Sequence, residues 1–233
     1  MCRRSKSCTE LGEDPGSWNR ACPLETPEWF ESQLDLFQQA LSALAIDDRP
    51  ACISHLNAIR SREMREWCSE HGQMSGMHRK NRLTLPNPVA IDKTLRDPLR
   101  SPRKYQRQVY ERDGYRCRYC GIRLVENEVL SQFAHRLDGP EFRKGPTNLD
   151  KHGIIHAFTP VADHVVPWSQ GGKTNPSNLV TSCGPCNYGK SGYTIDQIGL
   201  DDPLSRPPTT GGWDGLRSLL EGFKEPLGPL PSS

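Results

Sequence analysis

The sequence predicts an α+β chain in which a small module of two strands and one short helix, stapled by metal, follows a helical hairpin and an irregular basic arm. Three observations predict it. Two Cys-x-x-Cys pairs, Cys117/Cys120 and Cys183/Cys186, flank a segment with strand character. Two apolar stripes at helical spacing run from residue 30 to 44 and from residue 53 to 67. The 233 residues carry twenty Gly and twenty Pro, are 34% hydrophobic and have a mean hydropathy of −0.69, which favours a modest core with irregular flanks.

Residues 1–27 have no periodicity and contain Pro15, Pro23 and Pro27, so they are expected to be a flexible lead-in. Residues 28–72 form the hairpin. Phe30, Leu34, Phe37, Leu41 and Leu44 make one amphipathic stripe, with Thr26 expected as N-cap and Pro27 at the first helical position. After the break at Asp47-Asp48-Arg49-Pro50, Ile53, Leu56, Arg60, Met64 and Trp67 line a second helix that Gly72 would end. The hairpin is equally suited to a nucleic-acid-contacting arm and to a dimerisation element.

Residues 73–103 hold Pro86, Pro88, Pro98 and Pro102 among basic residues and read as a linker or extended arm. A short helix over Lys104–Arg112 and a strand over Tyr115–Gly121 lead into the first Cys pair. Residues 122–160 give mixed signals and read as an insertion. A strand is predicted over Val161–Pro167, a loop over Ser169–Asn175, a second run over Asn178–Ser182, and a helix starting near Cys183 or Pro185. Residues 104–200 make up this module. Residues 201–233 form a Pro/Gly-rich tail with a short helix over Trp213–Phe223.

Charge is unevenly divided. Residues 60–125 contain 16 Lys/Arg against 7 Asp/Glu, whereas residues 1–59 contain 5 against 9 and residues 126–233 contain 9 against 12. A basic stretch of that size suits a polyanionic partner, because each neutralised phosphate releases counterions. The basic start, MCRRSKSC, has no apolar run behind it, and no stretch approaches the roughly 18 apolar residues of a membrane span, so a cytoplasmic protein without membrane contact is expected.

In a reducing compartment paired cysteines read as metal ligands before disulfides. Two Cys-x-x-Cys pairs complete a closed tetrahedral zinc site, whose role is structural because no coordination position is left for water. The 62 residues between the pairs exceed a simple zinc ribbon, so the ion would staple the base of a loop-rich module. Cys52 and Cys68 read as small buried hydrophobes; Cys2, Cys8 and Cys22 could form another metal site, but their spacing supports no specific assignment.

Inside the frame lie Asp163, His164, Asn178 and Asn187. Imidazole is the usual general base near neutral pH. Asp163 and the amide oxygen of Asn187 are hard ligands suited to Mg²⁺ or Mn²⁺. Asn178 can hydrogen-bond backbone across the Ser169–Asn175 loop and set where His164 points.

The string DHVVPWSQGGKTNPSNLVTSCGPCNYGK, with the upstream Cys pair, resembles the HNH endonucleases, which have a ββα-metal fold. Cys117, Cys120, Asp163, His164, Pro167, Gly171, Gly172, Asn178, Leu179, Cys183, Cys186, Asn187 and Lys190 carry the resemblance. It implies a phosphodiester hydrolase, with nucleic acid (double-stranded DNA first) as partner and His164 as general base. Asn178 would brace the catalytic loop, Asp163 and Asn187 would ligate the catalytic ion, and the four Cys would hold structural zinc. Lys190, with Arg116, Arg118 and Lys173, would contact the nucleic acid. The competing reading is an inactive zinc-held nucleic-acid adaptor. Two features depart from the family: Asn187 stands where many members have His, and the stretch between Gly121 and Asp163 is long. His135, His152 and His156 in that stretch are expected mainly at the surface.

Overall fold

The computed structural model describes residues 21–23, 26–68, 88–148, 150–209 and 211–223. The expectations for residues 1–20, for Gly72 as a helix stop and for the end of the tail lie outside them. Eight α-helices and one two-stranded sheet are built in the described residues, with 3₁₀ turns between.

Helix α1 (Trp29–Ala45) buries all five residues of the apolar stripe. It starts after Glu28 with no side-chain cap. The Thr26 hydroxyl, expected at the cap, instead donates to Cys120 Sγ at 3.3 Å and ties the helix entry to the first Cys pair. The second predicted helix is two helices, α2 (Arg49–Ala58) and α3 (Ser61–Trp67). Ile59 is extended between them, because the Gln33 side chain on α1 accepts from the Arg60 amide at 2.8 Å. That donor is then unavailable to the helix ladder. Asp48 caps α2 through Ala51 N, and Pro50 occupies its first turn.

In its described residues the basic arm is not a free connection. Its described half, residues 88–103, lies against the loop that follows β1, with Ile91 N donating to Ser169 O at 2.9 Å and Trp168 Nε1 donating to Asp97 O at 2.8 Å. Helix α4 (Gln106–Arg112) follows. The strand expected over Tyr115–Gly121 is reduced to one bridge, Arg116 to Arg123. Tyr115 and Gly121 both have positive φ, so the chain doubles back as a knuckle, with Cys117 N donating to Ile122 O and Gly121 N to Cys117 O.

The insertion contributes α5 (Asn127–Leu137) and α6 (Gly153–Phe158). Both serve the core. Phe37 of α1 contacts Phe133 and Phe142 at ring-centroid distances of 5.0 and 5.3 Å, and Phe30 lies 6.2 Å from Phe158. One continuous cluster of buried residues runs from Cys22 to Leu220, so the hairpin, the insertion and the tail share a core. Arg123 adds a polar tie, reaching Glu31 and Asp35 on α1. The tail's expected helix is a 3₁₀ turn, Arg217–Phe223, held down by Leu216 and Leu220.

Strand β1 (Val161–His164) pairs antiparallel with β2 (Leu179–Ser182), with His164 opposite Leu179, and α7 (Gly184–Lys190) follows. The short α8 (Ile195–Ile198) closes the module with a capping box at Thr194.

Two of the three insertion histidines are not at the surface. His135 is exposed, but His152 is 8% exposed and His156 half-buried. His152 Nδ1 caps α6 by accepting from Ile154 N, and burial pushes its pKa down from 6.5 to about 4. The unfolded chain therefore binds a proton that the folded one refuses. Stability is full above pH 6.5 and falls as pH drops toward 4, by on the order of 3 kcal/mol for this group. Urea unfolding between pH 7 and 4 is expected to show that loss, and a His152→Asn variant, which keeps a capping side chain, is expected to flatten it.

Candidate active site

The site is built where β1, its following loop and α7 meet the Cys knuckle. The four cysteine sulfurs, brought together from residues 117–120 and 183–186, all lie within 4.8 Å of one another. Cys120 Sγ and Cys183 Sγ are 3.7 Å apart. Zinc–thiolate bonds of about 2.3 Å require a tetrahedral edge of about 3.8 Å, so the cluster fits one ion such as zinc. Among the described residues it is the only group of three or more His, Cys, Asp or Glu that could hold a metal. Cys183 is also the N-cap of α7, accepting from Cys186 N at 3.5 Å. Cys117, Cys183 and Cys186 are buried and Cys120 is half-buried, so most of the cluster is shielded from solvent.

Cys52 and Cys68 take no part in it. Both are buried, and burial raises their thiols to about 11 and about 12.

Adjacent residues on a strand face opposite ways, and Asp163 and His164 do so. Asp163 points inward and is 7% exposed. Its Oδ2 accepts from the hydroxyl of Tyr119, between the first two cysteines, at 2.7 Å. Lys190 Nζ lies 3.4 Å from Asp163 Oδ1 and 3.3 Å from Oδ2, and donates to His164 O at 2.8 Å. Lys190 is fully buried, so its ammonium faces the carboxylate and backbone of β1 and is withheld from the surface where nucleic-acid contact was expected. Asn187 is half-buried, one turn before Lys190 on α7.

His164 ends β1 half-buried, with Nε2 2.9 Å from Thr174 Oγ1. Burial lowers its pKa; Asp163 and Asp97 oppose the shift and Lys190 adds to it. The imidazole is therefore neutral at pH 7, the form that can accept a proton. Asn178 holds the loop from within. Its Oδ1 accepts from Val166 N at 2.9 Å, and its Nδ2 donates to Val166 O at 3.0 Å and Lys173 O at 2.9 Å. Gly172 is required beside it, since a Cβ there would collide with Val166 O.

The basic residues divide. Lys173 is exposed on the loop. Arg118 has a side chain 7% exposed and donates to Pro203 O and Arg206 O, so it binds the tail. Arg116 is half-buried and turns toward Gly121 O. Lys93, Arg100 and Arg103 on the basic arm, and Lys104 just after it, are exposed.

Tyr119, Thr174 and Asp97 have places in the site that sequence reasoning missed. The position of Tyr119 inside a Cys-x-x-Cys pair was the one available signal. Thr174 and Asp97 gave none.

Comparison with protein-family models places a match on the segment that carries β1, the loop, β2 and α7. Residues 157–192 match the HNH endonuclease family. The HNH domain points to a nuclease-type activity on nucleic acid, and the four-cysteine cluster marks it as a type compatible with zinc. Comparison with curated proteins and with solved structures gave no significant match. No helix among the described residues is long and apolar enough to cross a membrane.

Two outcomes are expected at this site. Zinc should bind the metal-free chain with one ion per protein, and Cys117→Ser should lose that ion together with cooperative unfolding, read by metal analysis and circular dichroism. Lys190→Met leaves the buried Asp163 carboxylate uncompensated and should cost about 3–5 kcal/mol in urea unfolding at pH 7. Pairing it with Asp163→Asn should recover much of that loss.

Proposed function

We propose that this chain is a metal-dependent HNH endonuclease that hydrolyses phosphodiester bonds in nucleic acid, with double-stranded DNA as the first substrate class and His164 as the general base. The observation that carries the reading is His164 itself. Within the matched segment it is a neutral imidazole at a strand end, with one ring nitrogen held by Thr174 and the following loop held by Asn178.

His164 takes the proton of the attacking water, and the Asn178 contacts keep the loop from drifting as it does so. The exposed Lys173 and the exposed basic residues of the arm provide positive charge along which a phosphate backbone can lie. Asp163 and Asn187 offer the hard oxygen donors for Mg²⁺ or Mn²⁺, which when bound would offset the charge that develops on the phosphate and leaving oxygen. Zinc in the cysteine cluster would serve only to hold the knuckle against α7.

One observation favours the second reading, a zinc-held adaptor without turnover. Both oxygens of Asp163 are already engaged, by Tyr119 and Lys190, so a catalytic ion would have to share the carboxylate. A plasmid-nicking assay with Mg²⁺, Mn²⁺ or EDTA decides between them. Metal-dependent nicking is expected, with His164→Ala reducing the rate by about 100-fold or more while zinc content and folding are retained. Binding to DNA with no metal-dependent nicking would establish the adaptor, and full nicking by His164→Ala would remove His164 from the mechanism.

A further inference from the structure

We propose that Thr174 and Asp97 are positioning residues for His164, so that the basic arm ahead of the HNH domain supplies part of the machinery that orients the base. The proposal rests on the reading of His164 as general base. It concerns residues on both sides of the matched segment's boundary, since Asp97 lies 60 residues before that segment begins.

A histidine that works as a base through one ring nitrogen is oriented by whatever the other nitrogen touches. His164 Nε2 is 2.9 Å from Thr174 Oγ1, and Thr174 is 3% exposed, so no water competes for the contact. With Nε2–H donating to the hydroxyl, the lone pair sits on Nδ1 and the ring cannot flip without breaking the bond. The hydroxyl is thus useful only if Thr174 itself is fixed.

That fixing comes from 77 residues earlier in the chain. Asp97 Oδ2 accepts from Thr174 N at 2.9 Å, while its Oδ1 accepts from Leu99 N at 2.9 Å. The Asp97 carbonyl accepts from Trp168 Nε1 at 2.8 Å. The guanidinium groups of Arg96 and Arg100 stand 5.1 and 5.0 Å from the Trp168 ring centroid. Ile91 N reaches Ser169 O, and Arg96 folds back on Ile91 O at 2.7 Å. The arm therefore holds the loop at Trp168-Ser169 and again at Thr174, at either end of the turn containing Gly171 and Gly172. Asn178 secures the same loop through hydrogen bonds to Val166 and Lys173, not to Thr174. Without Asp97, the residue that touches the base would be held only through its neighbour Lys173, whose carbonyl Asn178 takes. The alternative, that these contacts only stabilise the fold, predicts a change in stability but none in kcat between a hydroxyl and a methyl at position 174.

The test uses the full-length zinc-loaded protein on a duplex oligonucleotide with Mn²⁺, with kcat and KM measured separately for Thr174→Val, Thr174→Ser and Asp97→Ala. Thr174→Val keeps the side-chain shape without the hydroxyl. It is expected to lower kcat by about 10-fold or more with KM within about twofold, part of the contribution a positioned base makes. Thr174→Ser is expected to retain most of kcat, and Asp97→Ala to fall between them. Ring-nitrogen NMR shifts of His164 provide a readout that needs no turnover. The wild-type protein is expected to show the Nε2–H tautomer and Thr174→Val a mixture. Wild-type kcat in Thr174→Val, an equal loss in Thr174→Ser, or an unchanged single tautomer in Thr174→Val would each overturn the proposal. Cleavage by the wild type that does not depend on His164 would instead overturn the general-base reading beneath it, and the tautomer measurement separates the two failures.

Discussion

Four sulfur atoms within one metal's reach are the constraint on which the rest of this structure depends. The knuckle of residues 115–123 has almost no regular secondary structure: one bridge, two positive-φ turns and a handful of backbone hydrogen bonds. Such a segment cannot hold its own shape against chain entropy. Convergence on Cys183 and Cys186 fixes it against the start of α7, and three other contacts depend on that placement. Tyr119 meets Asp163, Thr26 meets Cys120, and Arg123 meets Glu31 and Asp35. The cluster thus sets the position of α1 on one side and of β1 on the other.

The Asp163–Lys190–Tyr119 group is the polar counterpart of that staple. A buried carboxylate facing a buried ammonium is costly to desolvate and rarely adds much net stability, but it is unforgiving of rearrangement. Here it ties α7 to β1 at the residue before His164. The Lys190 ammonium also takes the His164 carbonyl, so backbone and side chain are registered by the same cation. The arrangement gives His164 a rigid mount while leaving its imidazole only half-buried.

Much of this was legible in the sequence, and what was not has identifiable causes. The α1 stripe was readable because its burial is one-sided and periodic. The ββα order and the cysteine frame were readable because ligand spacing and strand character are local signals. The break at Ile59 was not, since it is caused by Gln33 reaching across from another helix. The insertion was opaque because α5 and α6 acquire their meaning only from Phe30 and Phe37, roughly a hundred residues away. Within the site, residue types capable of the chemistry could be named, but not which way they face. Lys190 and Arg118 look from the sequence like phosphate contacts and are spent inside the protein, whereas Thr174 and Asp97 look like ordinary loop residues.

The contacts of Arg118 with the carbonyls of Pro203 and Arg206 carry a consequence for how the molecule comes into being. The knuckle needs residues 183–186 for its sulfurs and residues 203–206 to clothe its arginine, and α1 packs on the same core as Leu216 and Leu220. As the chain leaves the ribosome, the first two-thirds emerges with its cysteine pair unmatched and its aromatic residues uncovered. Assembly must wait until nearly all of the described chain is available, because contacts between distant residues cannot form before both partners exist. Half-made copies are therefore incomplete at the site itself, and the order of synthesis keeps the machinery unassembled until the last turns of the core arrive.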